Sequence, residues 1–175
     1  MLKKFNSPKK CCALTIATFF GVGLIPLAPG TYGSLAALPL VYFTAQVPLV
    51  LRICLWSFIC ILGIWAARVY DETLDSKDNN SIVIDEVIGV AIASWAAGTN
   101  LYHYILAFIL FRIFDILKPP PVRQLDQWSH KKSKPNGSIF SPWQSSIGVI
   151  GDDVLAGLLA FLVIFLLQFF EVLKL

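Results

Sequence analysis

Long runs of apolar positions, broken by proline, glycine and clustered charge, dominate this sequence. The run Val154–Val172, VLAGLLAFLVIFLLQFFEV, is apolar except for Gln168 and Glu171 near its far end, and is long enough to cross a bilayer as a helix. Pro48–Val69 is a second such run, with Arg52 and Arg68 near its two ends, where long cationic side chains can reach water. Leu101–Leu117 is a third, carrying Arg112 and Asp115 toward its C-terminal end, and Ile84–Gly98 is a shorter fourth. Ser34–Val47 holds Pro39 and is short for a crossing, while Cys11–Leu24 ends at the Gly/Pro-rich break LIPLAPGTYGS. The pattern predicts an all-α, polytopic helical membrane protein with about five transmembrane helices plus an N-terminal interfacial or re-entrant helix.

Composition agrees with that pattern. Hydrophobic residues make up 57% of the 175 positions and charged residues only 14%, against roughly 45–50% and 25% in soluble domains. The net charge of +3 is too small and scattered to suggest nucleic acid. Its placement says more than its sum. Lys3, Lys4, Lys9 and Lys10 crowd the N-terminus, and Lys118, Arg123, Lys131, Lys132 and Lys134 follow the third run; the positive-inside rule puts both groups in the cytoplasm. The N-terminal run is expected to be retained, because Pro29 directly follows the one plausible small cleavage residue, Ala28. Cys11, Cys12, Cys54 and Cys60 show neither a zinc spacing nor a disulfide framework. The chain reads as one membrane-embedded domain, with residues 118–150 as a cytoplasmic loop that offers Trp128 and Trp143 as interface anchors.

On this path every acidic cluster arrives at one face: Asp71, Glu72, Asp75 and Asp78; Asp85 and Glu86; Asp115; Asp126; Asp152 and Asp153. A carboxylate at the centre of a bilayer costs roughly 2.5–3.5 kcal/mol on insertion scales, so acids kept within apolar runs mark functional candidates. Imidazole is scarce. His103 is expected at a membrane interface and His130 in solvent, which makes a Ser-His-Asp triad improbable. Clustered Asp and Glu suit a hard divalent cation such as Mg²⁺, which takes oxygen ligands and often shares substrate phosphate oxygens. Neighbours Asp85 and Glu86 point about 100° apart on a helix, so one can ligate while the other orients a water. Asp152-Asp153 is expected to open a helix, where the dipole favours a carboxylate. Arg112 and Asp115 share a helix face and form either a self-neutralising ion pair or a phosphate clamp beside a metal ligand. In IPLAPGTYGS, Gly30 and Gly33 build a turn, and Thr31 and Ser34 add hydroxyls before a helix whose free amides could bind an anion.

Four segments in order, GLIPLAPGTYGSLAALP, DNNSIVIDEVIG, FRIFDILKPPPVRQLD and GDDVLAG, together resemble the phosphatidylglycerophosphatase A family of bacterial inner-membrane lipid phosphatases. The resemblance runs from about Gly21 to Gly157. It implies Mg²⁺-dependent hydrolysis of phosphatidylglycerophosphate, with a phospholipid in the bilayer as substrate. By motif position it implies Thr31, Ser34, Asp85, Glu86, Arg112, Asp115, Lys118, Asp126, Asp152 and Asp153 as site residues. In the run SSIGVIGDD this chain departs from the family pattern: Ser145 and Ser146 replace glycines, and Gly151 replaces an apolar residue.

The expected chemistry places Asp85, Glu86, Asp115, Asp152 and Asp153 around one or two Mg²⁺, which would activate a water. Gly30, Thr31, Ser34, Arg112 and Lys118 would hold the phosphate, with Glu86 as general base. The competing expectation is a small cation-coupled transporter or channel whose ion path uses the same carboxylates.

Overall fold

The structure is a computed structural model that describes residues 4–75, 79–98, 100–130 and 141–170. Lys3, Asp78, Lys131, Lys132, Lys134, Glu171 and Val172 lie outside the described residues, as do the side chains of Asp126, Trp128, His130 and Trp143. The described residues form seven α-helices: α1 Pro8–Ala17, α2 Pro29–Ala45, α3 Leu49–Leu74, α4 Ile84–Ala93, α5 Leu101–Leu117, α6 Val122–His130 and α7 Ser141–Phe169. Short 3-10 turns occupy Val22–Leu24 and Ser94–Ala96. The fold is all-α, as the apolar runs imply.

Local chemistry sets the helix ends. Ser7 caps α1 by accepting a hydrogen bond from the Lys10 amide, with Pro8 at the first helical position. Asn100 caps α5 by accepting from the Tyr102 amide. At the other end of α5, Lys118 turns left-handed at φ 43°, and the three prolines that follow cannot continue the helix.

Among the described residues, two helices are long and apolar enough to cross a membrane: Leu49–Leu74 and Ser146–Phe169. The expected five or so spans are therefore not matched. α2 and α5 have 17 residues each, at the lower edge of spanning length. The expected crossing at Ile84–Gly98 is corrected outright. α4 has ten residues, so it is about 15 Å long against a hydrocarbon core of about 30 Å. Its sides are buried against α2, α3, α5 and α7. An apolar run reads alike whether lipid or protein surrounds it, which is why the sequence alone suggests a span here.

The outer surface explains the other runs. Leu101, Ile105, Ile109, Ile113 and Ile116 form an exposed stripe along α5; α3 exposes Val50, Leu51, Phe58 and Ile61; α7 exposes Leu158, Leu162, Phe165 and Phe169. Apolar faces this extensive would be a liability in water and are suited to lipid.

The stretch 118–150 is not simply a loop, because it contains α6 and the first turns of α7. α6 is polar overall, yet Val122 is fully buried and Leu125 lies over Gly151, where any Cβ would meet its side chain at 2.8 Å. Gly151 thus seats α6 on α7. His103 is also not an interface residue: it is 2% exposed, and its Nδ1 lies 3.3 Å from Gln168 Nε2.

Candidate active site

α4 begins where the Val83 amide donates to the Ala17 carbonyl, fixing the entry of the chain beneath α1. Its first turn carries Asp85 and Glu86, where the free amides of a helix start favour negative charge. Asp85 Oδ1 accepts from the Glu86 amide at 3.0 Å.

The crossing of α4 with α7 brings the other acids to them. A Cβ on Gly157 would come within 2.4 Å of the Gly89 carbonyl oxygen, and one on Gly89 would strike the Phe111 ring. Gly157 is what permits this approach to the α4 backbone, and Gly89, whose Cβ would also lie 3.0 Å from the Asp153 carbonyl oxygen, makes room for both α7 and the Phe111 ring of α5. Asp85 precedes Gly89 by four residues and Asp153 precedes Gly157 by four, one helical turn in each case. The two helices therefore close at the glycines and present their carboxylates to each other one turn before.

The result is a cavity of about 130 Å³ lined by Asp85, Glu86, Asp115, Lys118, Val149, Asp152 and Asp153. Single carboxylate oxygens of Asp85, Glu86 and Asp153 all lie within 4.8 Å of one another. The remaining acids face cations: Arg112 Nη1 is 2.8 Å from Asp115 Oδ2 and 3.9 Å from Glu86 Oε1, and Lys118 Nζ donates to Asp152 Oδ2 at 2.8 Å. Five carboxylates thus meet two cations, a formal excess of three negative charges in a largely buried space. Glu86 Oε2 and Arg112 Nε are buried with no hydrogen-bond partner, an uncommon state for polar atoms in a folded protein. This all-oxygen donor set has the chemistry that takes a hard divalent cation.

The start of α2 closes one side. A Cβ on Gly30 would overlap Glu86 Oε1 and lie 3.2 Å from Arg112 Nη1, so glycine here makes room for that pair. Of the residues singled out from the sequence, Asp85, Glu86, Asp115, Lys118, Asp152 and Asp153 line the cavity, and Gly30 and Arg112 adjoin it. Three expectations change. α2 starts at Pro29, so Thr31 and Ser34 lie within its first turns instead of before them. Neither lines the cavity, and Ser34 is fully buried with its hydroxyl donating to the Gly30 carbonyl. Asp152-Asp153 does not open a helix, because α7 begins at Ser141, so the terminal dipole, which fades within one turn, does not stabilise that pair. Asp71, Glu72 and Asp75 close α3 without lining the cavity. The crossing glycines Gly89 and Gly157 were the missed functional positions; their signal was the repeated acid-to-glycine spacing of four.

The model of the family described as Phosphatidylglycerophosphatase A matches residues 15–168. The chain belongs to that family. It is 34% identical over 171 residues to the phosphatidylglycerophosphatase A of Haemophilus influenzae, covering 94% of this chain and 96% of that one. With the Escherichia coli phosphatidylglycerophosphatase A it shares 35% identity over 147 residues, 83% of this chain and 77% of the other. A Bacteroides thetaiotaomicron protein named as a putative phosphatidylinositol-3-phosphatase is 35% identical over 158 residues, 85% of this chain and 89% of its own length. No solved structure matches the chain. Family membership brings a phosphatase-type activity toward a lipid held in a bilayer, and with the two apolar helices it makes this a membrane-associated protein.

Proposed function

We propose that the protein hydrolyses the phosphomonoester of phosphatidylglycerophosphate to phosphatidylglycerol and phosphate, with Mg²⁺, at the cytoplasmic face of the bacterial inner membrane. The observation that carries this reading is the convergence of Asp85, Glu86 and Asp153 within 4.8 Å, beside Arg112 and Lys118. Three carboxylates at that spacing need a cation among them to remain ionised. Asp85, Glu86 and Asp153 would hold Mg²⁺, which when bound neutralises phosphate charge and acidifies a water.

Arg112 and Lys118 then serve the phosphate. Each already lies 2.8 Å from a carboxylate oxygen, and a phosphate entering the cavity offers both a second anionic partner as charge develops on its oxygens. Glu86 Oε2, buried without a partner, accepts a proton from the attacking water. The new bond joins that water oxygen to phosphorus, the bond from phosphorus to the glycerol oxygen breaks, and the proton passes to the departing glycerol oxygen.

A cavity of about 130 Å³ is large enough to admit a phosphate group. Charge supports the cytoplasmic orientation: Lys9, Lys10, Lys118 and Arg123 are basic residues of the kind the positive-inside rule keeps in the cytoplasm, and Lys118 lines the cavity. In this topology α2 and α5 cross with α3 and α7, and α4 runs part-way inside them. Among the described residues the acids do not continue as an ion path; the far end is built instead from Arg52, Trp95, His103 and Gln168.

The test is phosphate release from phosphatidylglycerophosphate in mixed micelles by purified protein, with Mg²⁺ or EDTA, beside Asp85→Asn and beside phosphatidylinositol 3-phosphate. Mg²⁺-dependent release from the first lipid, abolished by the substitution, is expected. Release from neither lipid by folded protein would sink the reading, and preference for the inositol lipid would correct its substrate.

A further inference from the structure

α2 and α5 run antiparallel from the acidic cavity. At one end Gly30 of α2 sits against Arg112 of α5; at the other, the rings of Tyr42 and Tyr104 meet edge-on at 5.5 Å. Near that second end the two helices part to leave an apolar groove of about 440 Å³, walled by Leu38, Pro39, Phe43, Leu101 and Ile105. The Tyr104 hydroxyl donates to the Gly98 carbonyl and so is already occupied. Between cavity and groove along the two helices, Leu35, Ile109 and Ile113 are exposed apolar residues, with Leu35 three residues before Leu38 and Ile109 four after Ile105.

Helical rise gives the reach. Leu38 to Phe43 lie about 12–20 Å along α2 from Gly30, and Ile105 to Leu101 about 10–16 Å along α5 from Arg112. One leaflet of the hydrocarbon core is about 15 Å deep, so the near end of the groove, at Leu38 and Ile105, lies within reach of the terminal half of a full-length acyl chain. A chain tied to a headgroup in the cavity is delivered there at high effective concentration, an advantage no bulk lipid has.

We propose that this groove holds one acyl chain of the lipid whose phosphate occupies the acidic cavity, so that chain length as well as headgroup governs turnover. The proposal rests on the lipid-phosphatase reading above and adds to it a second, apolar recognition element. A six-carbon chain, about a third of full length, ends before the groove begins.

The experiment compares kcat/KM for dioleoyl and dihexanoyl phosphatidylglycerophosphate in the same mixed micelles. The ratio is measured in wild type, in Ile105→Trp, which fills the groove from its exposed side, and in Ile61→Trp on the outer face of α3. Wild type is expected to favour the long-chain lipid about tenfold, the effect of a few buried methylenes. Ile105→Trp should bring the ratio to about one, while Ile61→Trp keeps the wild-type ratio. Equal wild-type rates on both lipids, or a ratio unmoved by a folded Ile105→Trp, would overturn the groove and leave the hydrolase reading standing. Release from neither lipid would instead remove the hydrolase reading, and the groove proposal with it. The wild-type ratio tests the idea even if the variant does not fold.

Discussion

The two ends of the helical bundle bury polar groups in opposite ways. At the far end Gln168 donates to the Ala96 carbonyl and meets His103, Trp56 Nε1 donates to Thr44, and the Arg52 guanidinium lies 4.2 Å from the centre of the Trp95 ring. These contacts are neutral or spread over an aromatic face, and each neutral hydrogen bond adds about 1 kcal/mol of stability. At the cavity end five carboxylates crowd two cations, and Glu86 Oε2 has no hydrogen-bond partner. Among the described residues the far end carries a single cation, Arg52, whose Nε is buried without a hydrogen-bond partner, whereas the cavity end carries an excess of three negative charges. Like charge that a fold concentrates without balancing it points to a working site, whereas polar groups paired within the fold point to structure.

Substitutions at the two ends sharpen that contrast. The largest effect is expected from Asp153→Asn, which should lower phosphate release about 10²–10³-fold while raising the thermal midpoint, because one of several buried like charges is gone. A lowered midpoint would assign Asp153 to the structural end of the comparison. Gly157→Ala comes next. Its methyl meets the backbone oxygen of Gly89, so the helices must separate, which should cost about 1–3 kcal/mol of stability and as much as 10²-fold in rate from misplaced carboxylates. Full activity in this variant, measured beside chemical denaturation, would show that the crossing does not position the acids. The smallest catalytic effect should come from Gln168→Ala. It should lose about 1–3 kcal/mol of stability by stranding the Ala96 carbonyl and His103, yet leave kcat within about twofold once folded. A large kcat loss would mean that the far end takes part in turnover.

Much of the site was legible in order along the chain. Asp85, Glu86, Arg112 and Asp115 stand out because charge inside apolar runs is costly and needs a reason; Asp152 and Asp153 stand at the start of such a run, and Lys118 entered through the family resemblance. Thr31 and Ser34 were drawn in by a turn motif that proved to be the start of α2, where the helix claims the Ser34 hydroxyl for its own backbone. The polar stretch after Lys118 hid α6 and the first turns of α7, since their helical state depends on Val122 and Leu125 finding a surface to cover.

By itself the sequence determined an all-α, membrane-associated chain and the residue types of its acidic site. Those features follow from hydropathy and from the cost of isolated charge, both of which are local. Only the tertiary structure decided that α4 is enclosed by protein instead of lipid, that α7 runs unbroken through Asp152-Asp153, and that Asp85, Glu86 and Asp153 come within 4.8 Å of one another. Those outcomes depend on how closely two helices can approach, and at Gly89 and Gly157 the permission comes from the absence of a side chain, whose effect exists only when the opposing backbone is in place.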